Sequence, residues 1–275
     1  MSVMAARSWT QTSAGDPRGY IQAEKLEELW FHTGTKCNLS CPFCLEGSSP
    51  TSNRLPYLTL EETQPFIEEA VELGIEAFSF TGGEPFLNPS FMSILKLALE
   101  HRSCLVLTNG TKPLQLKLPA LQALKAQSSH ELKFRVSLDS PEIPAHDEGR
   151  GEGSFVMAME GIRQLLNLGF QVSVAAHWPK GKTTTELSDR YQEVFREHDI
   201  AEELKMVFFP DFHKPHQSVE VPEITETCVT TYQTEASRAE FMCSFSRMVI
   251  KRGDTVKVSA CTLVDDDEDY DLAEN

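Results

Sequence analysis

Between residues 27 and 210, apolar runs rich in β-branched and aromatic residues alternate with segments of helical period, and this alternation constrains the fold more than any other feature. Strands are expected at EELWFHTG, IEAFSFTGG, SCLVLTNG, ELKFRVSLDS, FQVSVAAHW and LKMVFFP. Amphipathic helices are expected at TLEETQPFIEEAVELG, PSFMSILKLALEH, LPALQALKAQ, SFVMAMEGIRQLLNLG and TTTELSDRYQEVFREH. Thr59 precedes Leu-Glu-Glu as a capping box, and Gly74 and Gly169 close their helices. Repeated β/α units call for parallel strands with right-handed crossovers. The predicted fold class is therefore α/β, a full or partial (β/α) barrel, with the loops after the strands forming the active face.

Composition sets the outer limits. At 275 residues, 40% of them hydrophobic and 24% charged, the chain has material for one large domain and a small appendage. No apolar run approaches the roughly 20 residues that span a bilayer, and MSVMAARSWTQTSAGDPRGY lacks the apolar core of a signal peptide. A cytoplasmic location without membrane association is expected. The formal charge of -16 argues against nucleic acid as a partner, because that binding rests on lysine and arginine neutralising phosphates. The last eleven residues, DDDEDYDLAEN, carry seven acids and no base, and a solvated end is expected there.

Seven cysteines, an odd number and clustered, fit metal or redox use in a reducing compartment better than a disulfide framework. Three of them, Cys37, Cys41 and Cys44 in TKCNLSCPFCLEG, follow the first expected strand. A closed structural zinc site takes four ligands, and the next cysteine, Cys104, opens a strand and is expected in the core. A [4Fe–4S] cluster held by three cysteines would leave one iron open to a substrate or cofactor. A thiol-redox reading of Cys41-x2-Cys44 leaves Cys37 without a role. After the second strand, FSFTGGEPFLNP brings two glycines that permit close backbone approach, followed by Glu84, able to accept hydrogen bonds from an ammonium group.

With its aromatic before the last cysteine, Cys37-x3-Cys41-x2-Cys44 resembles the signature of radical S-adenosylmethionine (SAM) enzymes. The resemblance runs from Leu29 to Pro210 and implies a partial (β/α)6, TIM-like barrel. It implies that Cys37, Cys41 and Cys44 hold the cluster, and that Gly82, Gly83, Glu84 and Pro85 bind the methionine amine. By the same resemblance, Asn109, Ser137 and Asp139 lie where relatives contact SAM's ribose and carboxylate, and Phe43 lies near adenine. Arg150 is the first choice for the basic residue facing the carboxylate, with Arg163 second. The implied chemistry is reductive cleavage of SAM to a 5′-deoxyadenosyl radical that takes hydrogen from a substrate, using electrons from a reductant such as flavodoxin or ferredoxin. The substrate implied is a ribosomal peptide side chain, the alternatives being a small molecule (sugar, nucleotide or cofactor precursor) or a non-catalytic Fe–S binding protein. Substrate groups are expected among His177, Trp178, Lys180, Asp211, His213 and His216, on the loops after the fifth and sixth strands. HDEGRGEGS and HWPKGKTTTE read as mobile loops over that site.

Towards the C-terminus, a helix containing Cys228 precedes a hairpin with an Arg-Gly-Asp turn, flanked by Cys243 and Cys261. This resembles the start of the SPASM and twitch extensions, which bind auxiliary Fe–S clusters, but lacks their later cysteines. Three readings stay open: the chain stops before those cysteines, Cys228 or a non-cysteine ligand serves instead, or the hairpin holds no cluster. The expected organisation is an N-terminal extension at 1–25, the barrel at 26–215, and the helix and hairpin at 216–275.

Overall fold

The computed structural model describes residues 8–210 and 222–274. Six parallel strands follow one another across the sheet: β1 (Glu28–His32), β2 (Ala77–Thr81), β3 (Ser103–Thr108), β4 (Leu132–Ser137), β5 (Gln171–Trp178) and β6 (Lys205–Pro210). Helices α1 (Leu60–Glu72), α2 (Phe91–His101), α3 (Lys112–Gln115), α4 (Leu118–Gln127), α5 (Ile143–Arg150), α6 (Ser154–Asn167) and α7 (Thr184–Glu197) fill the crossovers. This is the expected partial (β/α)6 barrel. Short helices α8 (Glu226–Thr230), α9 (Glu235–Ala239) and α10 (Met242–Phe245) then lead to β7 (Ser246–Arg252), β8 (Thr255–Ser259) and β9 (Asp271–Glu274). Within the described residues no helix is long and apolar enough to cross a membrane.

Burial alternates along the middle strands. In β3, Cys104, Val106 and Thr108 are buried while the residues between them are less so, and β4 repeats the pattern with Leu132, Phe134 and Val136. One face of these strands therefore packs on the helices through Ile94, Leu95, Phe155, Ile162 and Phe195, while the alternate residues of β3 and β4 are half-buried on the concave side. Local signals set the helix ends as the sequence indicates. Thr59 and Glu62 exchange both capping-box hydrogen bonds, and Gly74 and Gly169 follow α1 and α6 at φ +83° and +72°.

Three features depart from expectation. The hairpin continues the main sheet, since β7 pairs in parallel with β1, and β8 and β9 add antiparallel strands beyond it. HDEGRGEGS is not a continuous loop: α5 runs through Arg150, and the Asp147 carboxylate accepts hydrogen bonds from Gly153 N–H, Phe155 N–H and the Ser154 hydroxyl at the start of α6. Nor is the acidic end solvated throughout. Asp265 is 6% exposed, and cationic Arg54, Arg252 and Lys257 approach Asp265 and Asp271.

Candidate active site

The loop carrying the three cysteines leaves the end of β1 and returns on itself. Cys37 N–H donates to the Ser49 carbonyl, Thr35 N–H to the Leu55 carbonyl, and Cys44 N–H to the Cys41 carbonyl. Because the loop is pinned on both sides, its cysteines face a cavity of about 260 Å³ at the C-terminal ends of the strands. Cys37, Cys41 and Cys44 all line it, together with Phe43, Gly82, Gly83, Asn109, Ser137, Asp139, Arg150 and His177. Of the twelve residues that the resemblance implies for the cluster and SAM, ten share this wall, all but Glu84 and Pro85.

The donors around the thiols suit thiolate ligands. Leu39 N–H points at Cys37 Sγ and Ser48 N–H at Cys44 Sγ, each at 3.4 Å, and Asn109 Nδ2 lies 3.7 Å from Cys37 Sγ. Without a metal, burial pushes the Cys37 thiol up to about 12, and burial also raises Cys41. A positive centre would have to draw those protons off. A single tetrahedral ion with sulfur bonds of about 2.3 Å would gather three sulfurs to within roughly 4 Å of one another. Among the described residues, the only trio of ligand atoms within 4.8 Å is His32, Glu46 and Asp265. The three thiols are thus more widely spread than one ion would hold them, which suits a multinuclear cluster.

The Gly-Gly-Glu-Pro element packs directly against the cysteine loop. A Cβ on Gly82 would lie 2.7 Å from the Gly34 oxygen, and one on Gly83 would lie 2.2 Å from the Lys36 oxygen. The missing side chains admit the backbone of the cysteine loop, to which Gly83 N–H and Glu84 N–H donate. Glu84 is 1% exposed and lies behind the wall, where its carboxylate accepts from Asn109 N–H (2.9 Å), the Thr108 hydroxyl (3.0 Å) and Phe86 N–H (3.3 Å). Burial raises it to about 7 despite these bonds. Pro85 opens the short 3-10 turn Pro85–Leu87 and is buried beside it.

Asn109 joins β3 to the cysteine loop. Its amide nitrogen donates to Asn38 Oδ1 at 3.0 Å, and its oxygen accepts from the backbone and hydroxyl of Thr111. Across the cavity, Arg150 holds Asp139 through Nε and Nη2, the latter at 2.9 Å. Burial alone would raise the Asp139 carboxyl, but the charge and hydrogen bonds of Arg150 hold it below the usual range. Phe43 bridges the two sides, with the His177 ring edge-on at 4.7 Å and the Arg150 guanidinium 5.7 Å from its centroid.

Other expected residues lie elsewhere. Arg163 pairs with Glu160 on the outside of α6, and Trp178 is 43% exposed with its indole donating to the Lys182 carbonyl. Lys180 is exposed in the turn after β5, while Asp211, His213 and His216 fall outside the described residues. Cys104 is buried in the core, as expected. Cys243 precedes β7 and Cys261 follows β8, and burial, with a smaller effect of charge on Cys261, raises the Cys243 thiol. Sequence reading missed Thr108, whose hydroxyl donates to Glu84 at 3.0 Å, and His146, which is 1% exposed and accepts from Asp139 N–H at 3.2 Å. A buried histidine inside a glycine-rich stretch leaves no periodic signal.

A parallel partial barrel with a three-cysteine loop at the C-terminal end of its first strand defines a class of cluster-dependent fold. The model of the Radical SAM superfamily matches residues 31–205, and the chain belongs to that family. The family uses a [4Fe–4S] cluster and SAM. The AdoMet-dependent heme synthase of Methanosarcina barkeri is 29% identical over 178 residues, which are 64% of this chain and 47% of the relative. Mycofactocin maturase MftC of Mycolicibacterium smegmatis is 29% identical over 135 residues, 49% of this chain and 33% of the relative. The chain thus spans half or less of the length of these relatives. A solved structure of anSMEcpe with bound AdoMet and Kp18Cys peptide superposes with a TM-score of 0.63 at 13% identity, covering 91% of this chain and 78% of that one. That likeness shows the fold.

Proposed function

We propose that this chain is a radical SAM enzyme in which Cys37, Cys41 and Cys44 hold a [4Fe–4S] cluster, the adjoining cavity holds SAM, and the substrate is a peptide side chain. The observation that carries the reading is the loop itself: three spread thiols, two of them facing backbone N–H groups, on the wall of one cavity. When bound, the cluster and SAM supply one-electron reductive cleavage and hydrogen-atom abstraction. The residues of the chain bind and orient. Gly82 and Gly83 set the cysteine loop against the second strand, and Glu84 fixes Asn109 from behind. Ser137 and Asn109 offer hydrogen bonds to the sugar side of SAM. Asp139 engages two nitrogens of Arg150, which leaves Nη1 to reach a carboxylate. Phe43 closes the cavity beside His177, and among the described residues His177 is the expected substrate-side group that lines it.

The peptide reading is supported by the fold shared with anSMEcpe, whose structure contains a peptide. A small-molecule substrate is the second reading, favoured by the sequence similarity to a heme synthase. A flavodoxin or ferredoxin in the cytoplasm would supply the single electrons that this chemistry consumes. The test is anaerobic reconstitution followed by strong reductant and SAM, with 5′-deoxyadenosine and methionine measured by mass spectrometry. Both should form with the wild-type chain and not with Cys44→Ser. Equal cleavage by the two would remove the proposal. Iron counting decides the auxiliary site: about four per chain for the first site alone, about eight with a second at Cys243 and Cys261.

A further inference from the structure

Glu46 follows Cys44 by two positions and lines the same cavity, and its carboxylate also accepts from the Ser48 hydroxyl at 3.3 Å. Its carboxylate Oε2 lies 3.0 Å from Nε2 of His32, a residue 1% exposed at the end of β1. Its carbonyl accepts from Arg54 Nη2 at 3.0 Å, and the same nitrogen lies 2.6 Å from Asp265 Oδ2. Arg54 and Asp265 stand 211 positions apart in the chain. Asp265 Oδ2 is also 3.7 Å from His32 Nε2, and the Asp265 carbonyl accepts from Arg252 Nη1 on β7. The four side chains thus tie the first strand, the far side of the cysteine loop and the segment after β8 into one knot.

A metal ion is one candidate occupant of the His32, Glu46 and Asp265 trio. Two observations disfavour it. Arg54 already supplies the cation that Asp265 needs. Gly34 N–H donates to His32 Nδ1 at 3.3 Å, which leaves the ring proton on Nε2, the nitrogen an ion would have to take.

We propose that the segment around Asp265 is a clasp for the cysteine loop, in which Asp265 and His32 act through Arg54 and Glu46 to hold Cys44 in its cluster-binding position. Asp265, Arg54 and His32 are then positioning residues. A loop free at this side would let Cys44 swing, because on that side the described hydrogen bonds of Cys44 are local to the loop: to Cys41, Gly47 and Ser48. The purpose of the clasp rests on the cluster reading above. Its geometry does not.

The test uses the full chain carrying Asp265→Asn or Arg54→Gln, the double variant, and the conservative Asp265→Glu. As a control, Arg18→Gln breaks an ion pair with Glu223 that does not touch the loop. In the metal-free chain, alkylation of Cys44 with iodoacetamide is followed by peptide mass spectrometry. In the reconstituted chain, loss of iron to a chelator is timed. Each single variant should raise both rates about fivefold, the effect of a half-buried ion pair worth about 1 kcal/mol. The double variant should add little to either single one, Asp265→Glu should restore most of the wild-type rate, and Arg18→Gln should change neither. Unchanged Cys44 alkylation and iron loss in folded Asp265→Asn and Arg54→Gln would overturn the clasp while leaving the cluster reading intact. Faster alkylation in a chain whose wild type takes up no iron would support the clasp and refute the cluster reading instead.

Discussion

Glu84 gathers three donors, Asn109 N–H, the Thr108 hydroxyl and Phe86 N–H, in a place that water does not reach. Glu84→Ala should therefore cost about 2–4 kcal/mol in thermal unfolding by leaving those donors without an acceptor, whereas Glu84→Gln, which keeps the shape and one acceptor, should cost less than about 1 kcal/mol. Equal losses would mean that the charge matters rather than the hydrogen bonds. His146 gives a pH signature. Burial, then the nearby Arg150 charge, lower it to about 4. Between about pH 4 and 6.5 the folded chain binds fewer protons at this ring than the unfolded one. The stability held by the neutral ring is therefore full above 6.5 and lost as pH falls through that window, up to about 3 kcal/mol. Glu84, raised to about 7, works in the opposite sense over an overlapping window, so the measurement is the difference between wild type and His146→Gln. The wild type's stability relative to His146→Gln should be constant above about pH 6.5 and fall by up to about 3 kcal/mol as pH drops from 6.5 to 4, and a constant offset from pH 4 to 8 would contradict the assignment. Neither residue's environment was legible in the sequence. GGEP identified Glu84 as a site residue but not which way its carboxylate points, because that depends on Thr108 and Asn109 arriving from the next strand.

The elements were the legible part. The six strands and five long helices fall where apolar period and caps put them, since both are local properties of the chain. Helix α5 was not, because Gly149, Gly151 and Gly153 lower helix propensity around it and its anchor, Asp147, works through hydrogen bonds to the next helix. The seat of α6 is equally invisible to period. A Cβ on Gly161 would lie 2.1 Å from the Gly110 oxygen, so the helix rests directly on the backbone of the loop after β3. Gly161→Ala should destabilise the fold by about 2–3 kcal/mol, well beyond its gain in helix propensity, as read from chemical denaturation. A neutral or stabilising result would mean that the helix and loop are not in this contact.

At the scale of the molecule, the barrel follows from the order of its units, but the path of the chain after it does not. That β7 lies beside β1, and that an acidic segment folds back to Arg54, are set by pairings across most of the sequence, for which composition alone suggested only a solvated end. The consequence is a cysteine loop held from two sides, by the glycines of the second strand and by the C-terminal segment. The central claim remains that this loop carries a cluster open to SAM. Its most direct test is the electron paramagnetic resonance spectrum of the anaerobically reconstituted and reduced chain, recorded with and without SAM. The account predicts a [4Fe–4S] signal from about four irons per chain whose g-values shift when SAM is added, and which is absent from Cys37→Ala. A signal indifferent to SAM, or one that survives loss of Cys37, would contradict it.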